Sequence, residues 1–430
     1  MAPAIKPVIT TTSFPTTRTV VIIGGGIVGL SAALTLAERR IPVVVLEKGR
    51  IAGEQSSRNL GWVRKTSRLA EDIPLARAAQ QLWQQMSART GVDVGYRQAG
   101  IMFLARTRQQ MAVHENWMHS VSQLDLDSRL LSAAEIARLV PGGEGKWQGG
   151  IYTPSDARAE PTLAASAIAQ AAIAKGALVI ENCAVRTLAT EGGRISGVVT
   201  ERGEIRCEQV LLAGGIWSRR LLGNHGIRLP ALPLICSVMR TAPMAGPTDI
   251  AVGAPDFSFR RHQSGGFIVT QRGALDAPLT LDSLLTGHRY LAQLRQGKDN
   301  LRLSLGRYFL RDLALSRRWK PTSRTPFEQV RTMDPEVNHR LNQEALTNLT
   351  AAWPGFTGCR IAESWAGMID VTPDSNPIIS PVARLPGLTV ASGFSGHGFG
   401  TSPAAGQLAA DLVCGSAPLV DPTPYRFARF

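Results

Sequence analysis

Three glycines at a fixed spacing, followed by an acid, are the residues of this chain with the clearest chemistry. Gly24, Gly26 and Gly29 follow the apolar run VVII, and Glu47 follows a second apolar run, VVVL. Gly24 permits a tight turn, Gly26 lets the backbone approach a pyrophosphate, and Gly29 lets a helix pack closely on a strand. Glu47 can accept hydrogen bonds from a ribose hydroxyl but would repel a 2′-phosphate. The pattern predicts a site for NAD or FAD and disfavours NADP.

The segment after Glu47 is rich in small and polar residues that could bind a pyrophosphate. We assign to the nucleotide site the following residues: Lys48, Gln55, Ser56, Ser57 and Arg58. The serine hydroxyls and backbone amides can donate to phosphate oxygens, and Arg58 can neutralise their charge. A solvated linker is the alternative interpretation of this segment.

Two further glycine-rich turns favour FAD over NAD. The strand that ends in AGGIWS contains Gly214 and Trp217, and a strand that stops at glycines beside a nucleotide is common in flavin enzymes. The turn GFSGHGFG contains Gly396, His397 and Gly398 and precedes a helical pattern. Its amides and the helix dipole can stabilise negative charge on a reduced flavin ring. No cysteine lies between residues 393 and 406, so we expect FAD to be bound noncovalently.

Composition limits the compartment and the partners. A chain of 430 residues with 44% hydrophobic and 19% charged residues is expected to form two globular domains. The net charge of +14 suggests an anionic surface as partner, but no zinc-finger spacing or basic tail indicates nucleic acid. The five cysteines are scattered as expected for thiols in a reducing compartment, and the histidines do not cluster as metal ligands. We therefore expect no metal and no nucleic acid.

No targeting or membrane-spanning segment is expected from the sequence. Residues 1–17 have no continuous apolar core, and no run of about 18 uncharged apolar residues follows. Residues 275–325 carry ten basic and four acidic residues among leucines and aromatics, which predicts an amphipathic, basic helical region. We predict a cytoplasmic protein and leave open whether this region binds the inner face of the cell membrane or is a solvated helical subdomain.

The motifs together resemble a known family. The GxGxxG turn with Glu47, the AGGIWS strand, the run WAGMIDVTPDSNP and the turn GFSGHGFG resemble the D-amino-acid oxidase and glycine oxidase superfamily of FAD enzymes. Within it, LEKGRIAGEQS, ENCAVR, TPFEQ and the ending VDPTPYRFARF are similar to the membrane-associated L-amino-acid deaminases of Proteus type. The likeness covers nearly the whole chain, and through ENCAVR it adds Val185 to the cofactor residues.

The resemblance implies an α/β fold with two domains. An FAD-binding Rossmann-type domain, similar to that of glutathione reductase, would be joined to an antiparallel-sheet substrate domain with a helical insertion. We assign a flexible N-terminus to 1–17, the FAD-binding domain to 18–95, 155–230 and 355–430, and the substrate domain to 96–154 and 231–354. Residues 275–325 fall where the deaminases carry the insertion that meets the membrane.

The resemblance also implies four substrate-site residues. Arg260 matches the deaminases' carboxylate-binding position, although a surface arginine on a strand is the alternative. Trp62 and Arg64 stand where the deaminases place a glutamine-containing stretch, and would line the flavin face or pack on the cofactor loop. His397 stands where they have a tryptophan, and as a group titrating near neutrality it could take the amine proton.

These inferences predict an FAD-dependent enzyme that oxidises an amino acid, with the L form expected. The CH–NH2 group would become an imine that hydrolyses to a 2-oxo acid and ammonia, and oxygen or a membrane quinone would accept the electrons. A D-amino acid, hydroxyproline or opine dehydrogenase is an alternative on the same fold. A flavoprotein without turnover, acting in electron transfer, is an alternative of another class. The sequence leaves the oligomeric state open.

Overall fold

The computed structural model describes residues 2–143, 145–291 and 301–430. Arg295, Lys298 and Asp299 of the basic region lie outside the described residues. The strands, numbered along the chain, are β1 Val20–Ile23, β2 Val43–Leu46, β3 Trp62–Val63, β4 Ile101–Ala105, β5 Arg129–Leu131, β6 Gly149–Thr153, β7 Ala157–Arg158, β8 Leu178–Ile180, β9 Val185–Glu191, β10 Arg194–Thr200, β11 Gly203–Arg206, β12 Gln209–Leu212, β13 Leu232–Thr241, β14 Ala251–Gly253, β15 Ser258–Arg261, β16 Phe267–Thr270, β17 Leu275–Pro278, β18 Leu301–Ser304, β19 Ile361–Val371, β20 Ile378–Pro381 and β21 Leu388–Ser392.

Helices connect these strands in the described part of the chain. The α-helices span Ile27–Glu38, Gln55–Arg58, Ile73–Gln84, Met86–Thr90, Arg108–Ser120, Ala133–Leu139, Pro161–Ala174, Ser218–Asn224, Leu281–Thr286, Arg307–Ala314, Pro326–Gln329, His339–Ala352 and Gly398–Cys414. The first of them is called the glycine-turn helix below, and the last is called the C-terminal helix.

A six-stranded sheet forms the predicted nucleotide-binding part. Its strand order is β20-β21-β12-β1-β2-β8, and β1 lies in parallel register between β2 and β12. The sequences VVII and VVVL are apolar at nearly every position because both faces of these central parallel strands are covered. The glycine-turn helix covers one face, with eleven of its twelve residues buried, and packs on the C-terminal helix.

A ten-stranded, mostly antiparallel sheet forms the second part. Its main strand order is β18-β17-β13-β16-β15-β14-β4-β6-β5, with β19 paired to β13. Strand β19 had been assigned to the FAD-binding domain by the boundary at residue 355. It pairs along nearly the whole of β13, with Leu232 opposite Val371, and so continues the second sheet.

Two predicted segments differ in the structure. The N-terminus was expected to be flexible, but Thr11 N donates to the carbonyl of Val179 at 2.8 Å, and Thr17 forms a bridge with Arg206. Residues 275–325 were expected to be helical, but β17 and β18 lie there and extend the second sheet. Helices occupy only part of this region. Among the described residues, no helix has the length and apolar character needed to cross a membrane.

Candidate functional site

A large cavity lies where the two sheets meet. It encloses about 2060 Å³ of space without protein atoms, its open mouth included. The glycine turn after β1, the end of β12 and the start of the C-terminal helix contribute one side. Residues from β3, β4, β13 and β19 contribute the other. The cavity is therefore bounded by both sheets.

The glycine turn has the geometry of a phosphate cradle. Gly24 has φ of +114°, and a Cβ there would lie 2.4 Å from the carbonyl oxygen of Ala213. A Cβ on Gly29 would lie 2.3 Å from the carbonyl oxygen of Gly24, so only glycine allows the helix this close to the turn. The glycine-turn helix has no side-chain cap at Gly26, and the amide of Ile27 donates to Ser56 Oγ at 2.9 Å. The helix N-terminus faces the cavity and favours an anion there.

Glu47 is placed to bind polar groups at the same end. Its Oε2 accepts a hydrogen bond from the amide of Gly25, and its Oε1 accepts one from the amide of Gly49, both at 2.8 Å. Burial raises the pKa of Glu47, and the charge of Lys48 and these two amides oppose that rise. The carboxylate is thus held in one orientation on the cavity wall, as a ribose-binding acid requires.

The polar loop after Glu47 contributes less to the cavity than its composition suggests. Lys48 Nζ donates to Glu54 at 2.8 Å and to two backbone carbonyls. Arg58 lines the cavity, but its guanidinium donates to Asp334 at 2.6 Å and to the carbonyls of Gly53 and Ala366. Its expected role against a pyrophosphate is therefore not supported, because these partners already use its donors. Ser57 is buried and donates to the carbonyl of Glu54, away from the cavity lining.

The start of the C-terminal helix brings His397, and β19 brings Asp370, to the cavity lining. His397 is the N-cap residue of this 17-residue helix, and no side chain caps the helix. Burial and the charges of Arg68 and Arg64 lower the pKa of His397 well below its ordinary value. The ring is neutral at physiological pH. Burial raises the pKa of Asp370 to about 6, while its Oδ2 accepts from the amide of Gly393 at 2.6 Å.

Two arginines face the cavity around one aromatic ring. The guanidinium carbon of Arg272 lies 4.3 Å from the ring centroid of Phe103, and that of Arg64 lies 5.5 Å from it. Trp62 packs beside the same ring at 5.5 Å between centroids. Arg272 is exposed, and it lines the cavity. Protein atoms surround the rest of its side chain. Burial lowers its pKa to about 10.

Arg260, the expected carboxylate ligand, is not at the cavity. Its side chain is 1% exposed, and Nη1 and Nη2 donate to Glu160 at 2.6 and 2.9 Å. Its Nε donates to the carbonyl of Leu60 at 2.6 Å. The guanidinium holds a buried acid and a loop and lies outside the cavity lining. Arg64 and Arg272 line the cavity instead.

The structure brings most of the predicted site residues together. Those that line the cavity are Gly24, Gly26, Glu47, Lys48, Gln55, Ser56, Arg58, Trp62, Arg64, Val185, Gly214, Trp217, Gly396, His397 and Gly398. Gly29, Ser57 and Arg260 do not line it, and Gly29 acts through helix packing. Sequence reasoning missed Phe103 and Arg272. No local signal separated Arg272 from Arg260, since the two lie in or just after neighbouring strands.

Comparison with known proteins agrees with this architecture. Residues 19–412 match the family model described as FAD dependent oxidoreductase. The chain is a member of this FAD-dependent oxidoreductase family. It is 26% identical over 414 residues to glycine oxidase from Pseudomonas aeruginosa, covering 94% of this chain and 97% of that protein. It is 25% identical to mitochondrial sarcosine dehydrogenase from Mus musculus over 97% of this chain, but spans only 42% of that protein's length.

Solved structures of this oxidoreductase family share the fold. L-Amino acid deaminase from Proteus myxofaciens, in complex with anthranilate, has a TM-score of 0.94 and 31% identity, covering all of this chain and 97% of that one. L-Amino acid deaminase from Proteus vulgaris has a TM-score of 0.93 and 31% identity over 98% of this chain and 99% of that chain. The expected family and fold class are confirmed.

The residues at the cavity fit FAD, the cofactor of the family. The uncapped helix N-terminus and the glycine turn suit its pyrophosphate, and the fixed carboxylate of Glu47 suits its ribose. A Cβ on Gly26 would lie 3.2 Å from Ser56 Oγ and would narrow the cradle. The start of the C-terminal helix supplies backbone amides and a positive dipole end for the flavin.

Proposed function

We propose that this FAD-dependent oxidoreductase oxidises the CH–NH group of an amino acid to an imine, which water converts to a 2-oxo acid and ammonia. The observation that carries the proposal is the pair Arg64 and Arg272, which face the cavity beside the cofactor-binding residues. A guanidinium binds a carboxylate with two parallel hydrogen bonds and so fixes the orientation of an amino acid. The relatives named above include L-amino acid deaminases and glycine oxidase, which supports the same substrate class.

The positive charges also favour the reactive form of the substrate. An amine must be neutral to lose hydride from its Cα, and nearby cations lower the pKa of an ammonium group. Arg64 and Arg272 therefore bind the carboxylate and disfavour a protonated amine at the same site. When bound, FAD accepts the hydride. Trp62 and Phe103 make this part of the cavity lining apolar beside the two arginines.

His397 acts in this proposal as a neutral hydrogen-bonding group. The sequence suggested a base that titrates near neutrality, but its lowered pKa makes the imidazolium form unfavourable beside Arg64 and Arg68. A histidine with such a pKa is a poor store for a proton at neutral pH. We therefore assign to His397 a positioning contact with the substrate, and release of the amine proton to water.

Anaerobic reduction of the purified holo-protein tests the function. Amino acids of both enantiomers are mixed with the yellow protein, and the visible absorbance of oxidised flavin is followed. We expect bleaching by L-amino acids. Bleaching by D-amino acids, hydroxyproline or an opine alone would favour the alternative dehydrogenases. No bleaching by any amine, with normal bleaching by dithionite, would contradict the proposal and favour an electron-transfer role.

We also propose that residues 275–291 and 301–325 form a peripheral membrane-binding surface on the cytoplasmic side, from which a quinone could accept electrons. Leucines are exposed there, among them Leu284 at 77%, Leu305 at 71% and Leu310 at 65%. Arg289 and Arg311 are exposed beside them. Apolar side chains ringed by cations are typical of a surface that binds anionic lipid.

Sedimentation with anionic and neutral vesicles tests this surface. We expect binding to anionic vesicles at low salt and release at high salt, since each basic residue near the surface contributes at most about 1 kcal/mol. Replacing both Arg289 and Arg311 by Gln should weaken binding. Arg108, exposed on a helix elsewhere, provides the matched control as Arg108→Gln. Absence of binding at low salt would contradict the proposal and leave oxygen as the expected acceptor.

A further inference from the structure

We propose that the substrate is an amino dicarboxylate, and that Arg64 and Arg272 each bind one of its two carboxylates. This inference rests on the proposed oxidation of an amino acid and names the substrate class for the same site. It covers primary amines of the aspartate and glutamate type and secondary amines such as iminodiacetate, because both present two carboxylates and one oxidisable CH–NH group.

The two guanidiniums are close enough for one short molecule to contact both. Their carbons lie 5.5 and 4.3 Å from the centroid of Phe103, so they are separated by no more than the sum of these distances, about 9.8 Å. Phe103 itself is buried in β4, which fixes the ring between its neighbours. A small dianion in the cavity beside this ring can pair with one guanidinium at each end.

Neither guanidinium has a carboxylate partner within the described residues. Arg64 donates to the carbonyl of Thr66, and Arg272 Nη1 lies 3.5 Å from the carbonyl of Ala254. A planar guanidinium has five N–H donors, so most of these donors are available to a ligand. The arginines with structural roles differ in this respect, since Arg58 and Arg260 each meet a carboxylate and at least one carbonyl.

The charges around the pair leave two positive charges unmatched. The carboxylates whose charges act on Arg64 are Asp156 and Asp72. Asp156 lies 3.4 Å from Lys65 Nζ, and Asp72 is paired with Arg68. These two pairs are neutral overall, and His397 is neutral as well. The charge left over is that of Arg64 and Arg272, which one monocarboxylate cannot balance.

The pKa directions agree with this charge count. Burial and the charges of Arg68 and Arg272 lower the pKa of Arg64 to about 9. Burial alone lowers the pKa of Arg272 to about 10, and it also lowers that of the neighbouring His114, with Arg272 adding to the effect. An anionic ligand stabilises a guanidinium in such surroundings. A ligand with only one carboxylate would leave one of the two guanidiniums without a partner. Discrimination against monocarboxylates follows from that difference.

The glycine turn that suits the phosphates of FAD follows β1, in the six-stranded sheet. Phe103 lies in β4 and Arg272 follows β16, and both of these strands belong to the second sheet. We therefore assign the carboxylates of the substrate, and not the phosphates of FAD, to Arg64 and Arg272.

The chemistry balances for both kinds of amine. Bound FAD would accept the hydride from Cα, and water would accept the proton from nitrogen. Loss of both leaves a C=N bond. Water then adds to that bond, and the C–N bond breaks. A primary amine gives a 2-oxo acid and ammonia, whereas iminodiacetate gives glyoxylate and glycine.

Binding of unreactive acids to the holo-protein tests the dianion site without turnover. Glutarate and succinate are compared with butyrate by the shift in flavin absorbance and in thermal midpoint. We expect the better dianion to bind at least about 30-fold more tightly than butyrate. Arg64→Gln and Arg272→Gln should each remove most of this preference, whereas Arg108→Gln should retain it. Equal binding of butyrate and both dianions, or a preference that survives Arg64→Gln, would refute the inference.

Flavin reduction separates this inference from the proposed function. Glutamate, aspartate and iminodiacetate are compared with glutamine, asparagine and glycine under anaerobic conditions. Faster flavin reduction by one of the three dicarboxylates supports both the proposed function and this inference. The compound that reduces the flavin identifies the subclass of substrate. Reduction by monocarboxylates without any preference for dianions supports the function and refutes the inference. Dianion binding that needs both arginines, with no reduction by any amine, refutes the function and leaves the anion site in place.

Discussion

Replacing Arg260 by Met should destabilise the fold and leave substrate affinity nearly unchanged. The guanidinium and Glu160 form two hydrogen bonds of 2.6 and 2.9 Å, and both side chains are at most 2% exposed. Removing one partner leaves a buried carboxylate whose charge is uncompensated. Breaking a buried ion pair in this way typically costs about 3–5 kcal/mol. The amide of Gln263, 2.9 Å from Glu160 Oε1, remains and places the expected loss near the lower value.

The destabilisation caused by Arg260→Met should depend on pH. Burial tends to raise the pKa of Glu160, but the charge and hydrogen bonds of Arg260 outweigh burial and hold it below 4.5. In the native protein the ion pair stabilises the fold at pH values above the pKa that Glu160 has in the unfolded chain. This stabilisation is lost as the pH falls through the lower pKa of Glu160 in the folded protein. In Arg260→Met the folded pKa of Glu160 should rise above 4.5, so stability should fall as pH rises through that value. The variant's deficit should therefore be larger at pH of about 7.5 than at about 4.5.

Thermal midpoints of the holo-protein at these two pH values measure the effect. Glu160→Gln should also destabilise, and the double variant Arg260→Met with Glu160→Leu should lose less than the two single changes added together. Anaerobic flavin reduction gives the substrate concentration for half-saturation in each variant that folds. A native thermal midpoint in Arg260→Met, with half-saturation raised tenfold or more, would refute the structural role and restore Arg260 as a substrate ligand.

Four further changes have distinct expected outcomes. Gly26→Val should fold but purify with little FAD, which the visible absorbance of the purified protein measures. Gly29→Ala should lower the thermal midpoint of the apo-protein, because the added Cβ would lie 2.3 Å from a backbone carbonyl oxygen. His397→Asn should leave the pH profile of flavin reduction unchanged between about pH 6 and 8, and loss of an inflection there would show that the histidine titrates. Asp370→Asn should stabilise at pH of about 8 by up to about 3 kcal/mol, because the folded pKa of about 6 exceeds the ordinary 3.8, and the gain should vanish near pH 4.

The nucleotide half of the site could be predicted because its signals are local. Gly24, Gly26 and Gly29 lie within one strand-turn-helix unit, and Glu47 ends the next strand. Each residue's role follows from backbone geometry that neighbouring residues determine. The same local logic correctly placed the glycine-rich turn before the C-terminal helix. These parts need no knowledge of distant contacts.

The substrate half of the site could not be predicted, because residues far away in the sequence determine which of its side chains face the cavity. Arg260 and Arg272 lie in or just after neighbouring strands, and nothing local distinguishes them. Their difference depends on Glu160, which is 100 positions from Arg260 and takes up its guanidinium. Similarly, β17 lies in the region predicted to be helical, but it pairs with β13 in the second sheet, where Asp276 lies opposite Ile235. Pairing across such separations overrides local pattern.

Because the nucleotide half and the substrate half of the site are built from different segments, the same nucleotide half can be combined with different substrates. The cavity wall around Phe103 is assembled from four distant segments, at residues 62–64, 103, 272 and 397. A single substitution in one of them changes the charge presented to the substrate without touching the glycine turn. Arg64 is the clearest example, since its guanidinium makes one hydrogen bond to a backbone carbonyl and has no described carboxylate partner. Arg64→Gln should therefore alter which acids bind while FAD content and thermal midpoint stay close to native. A parallel loss of FAD would show that Arg64 belongs to the cofactor site.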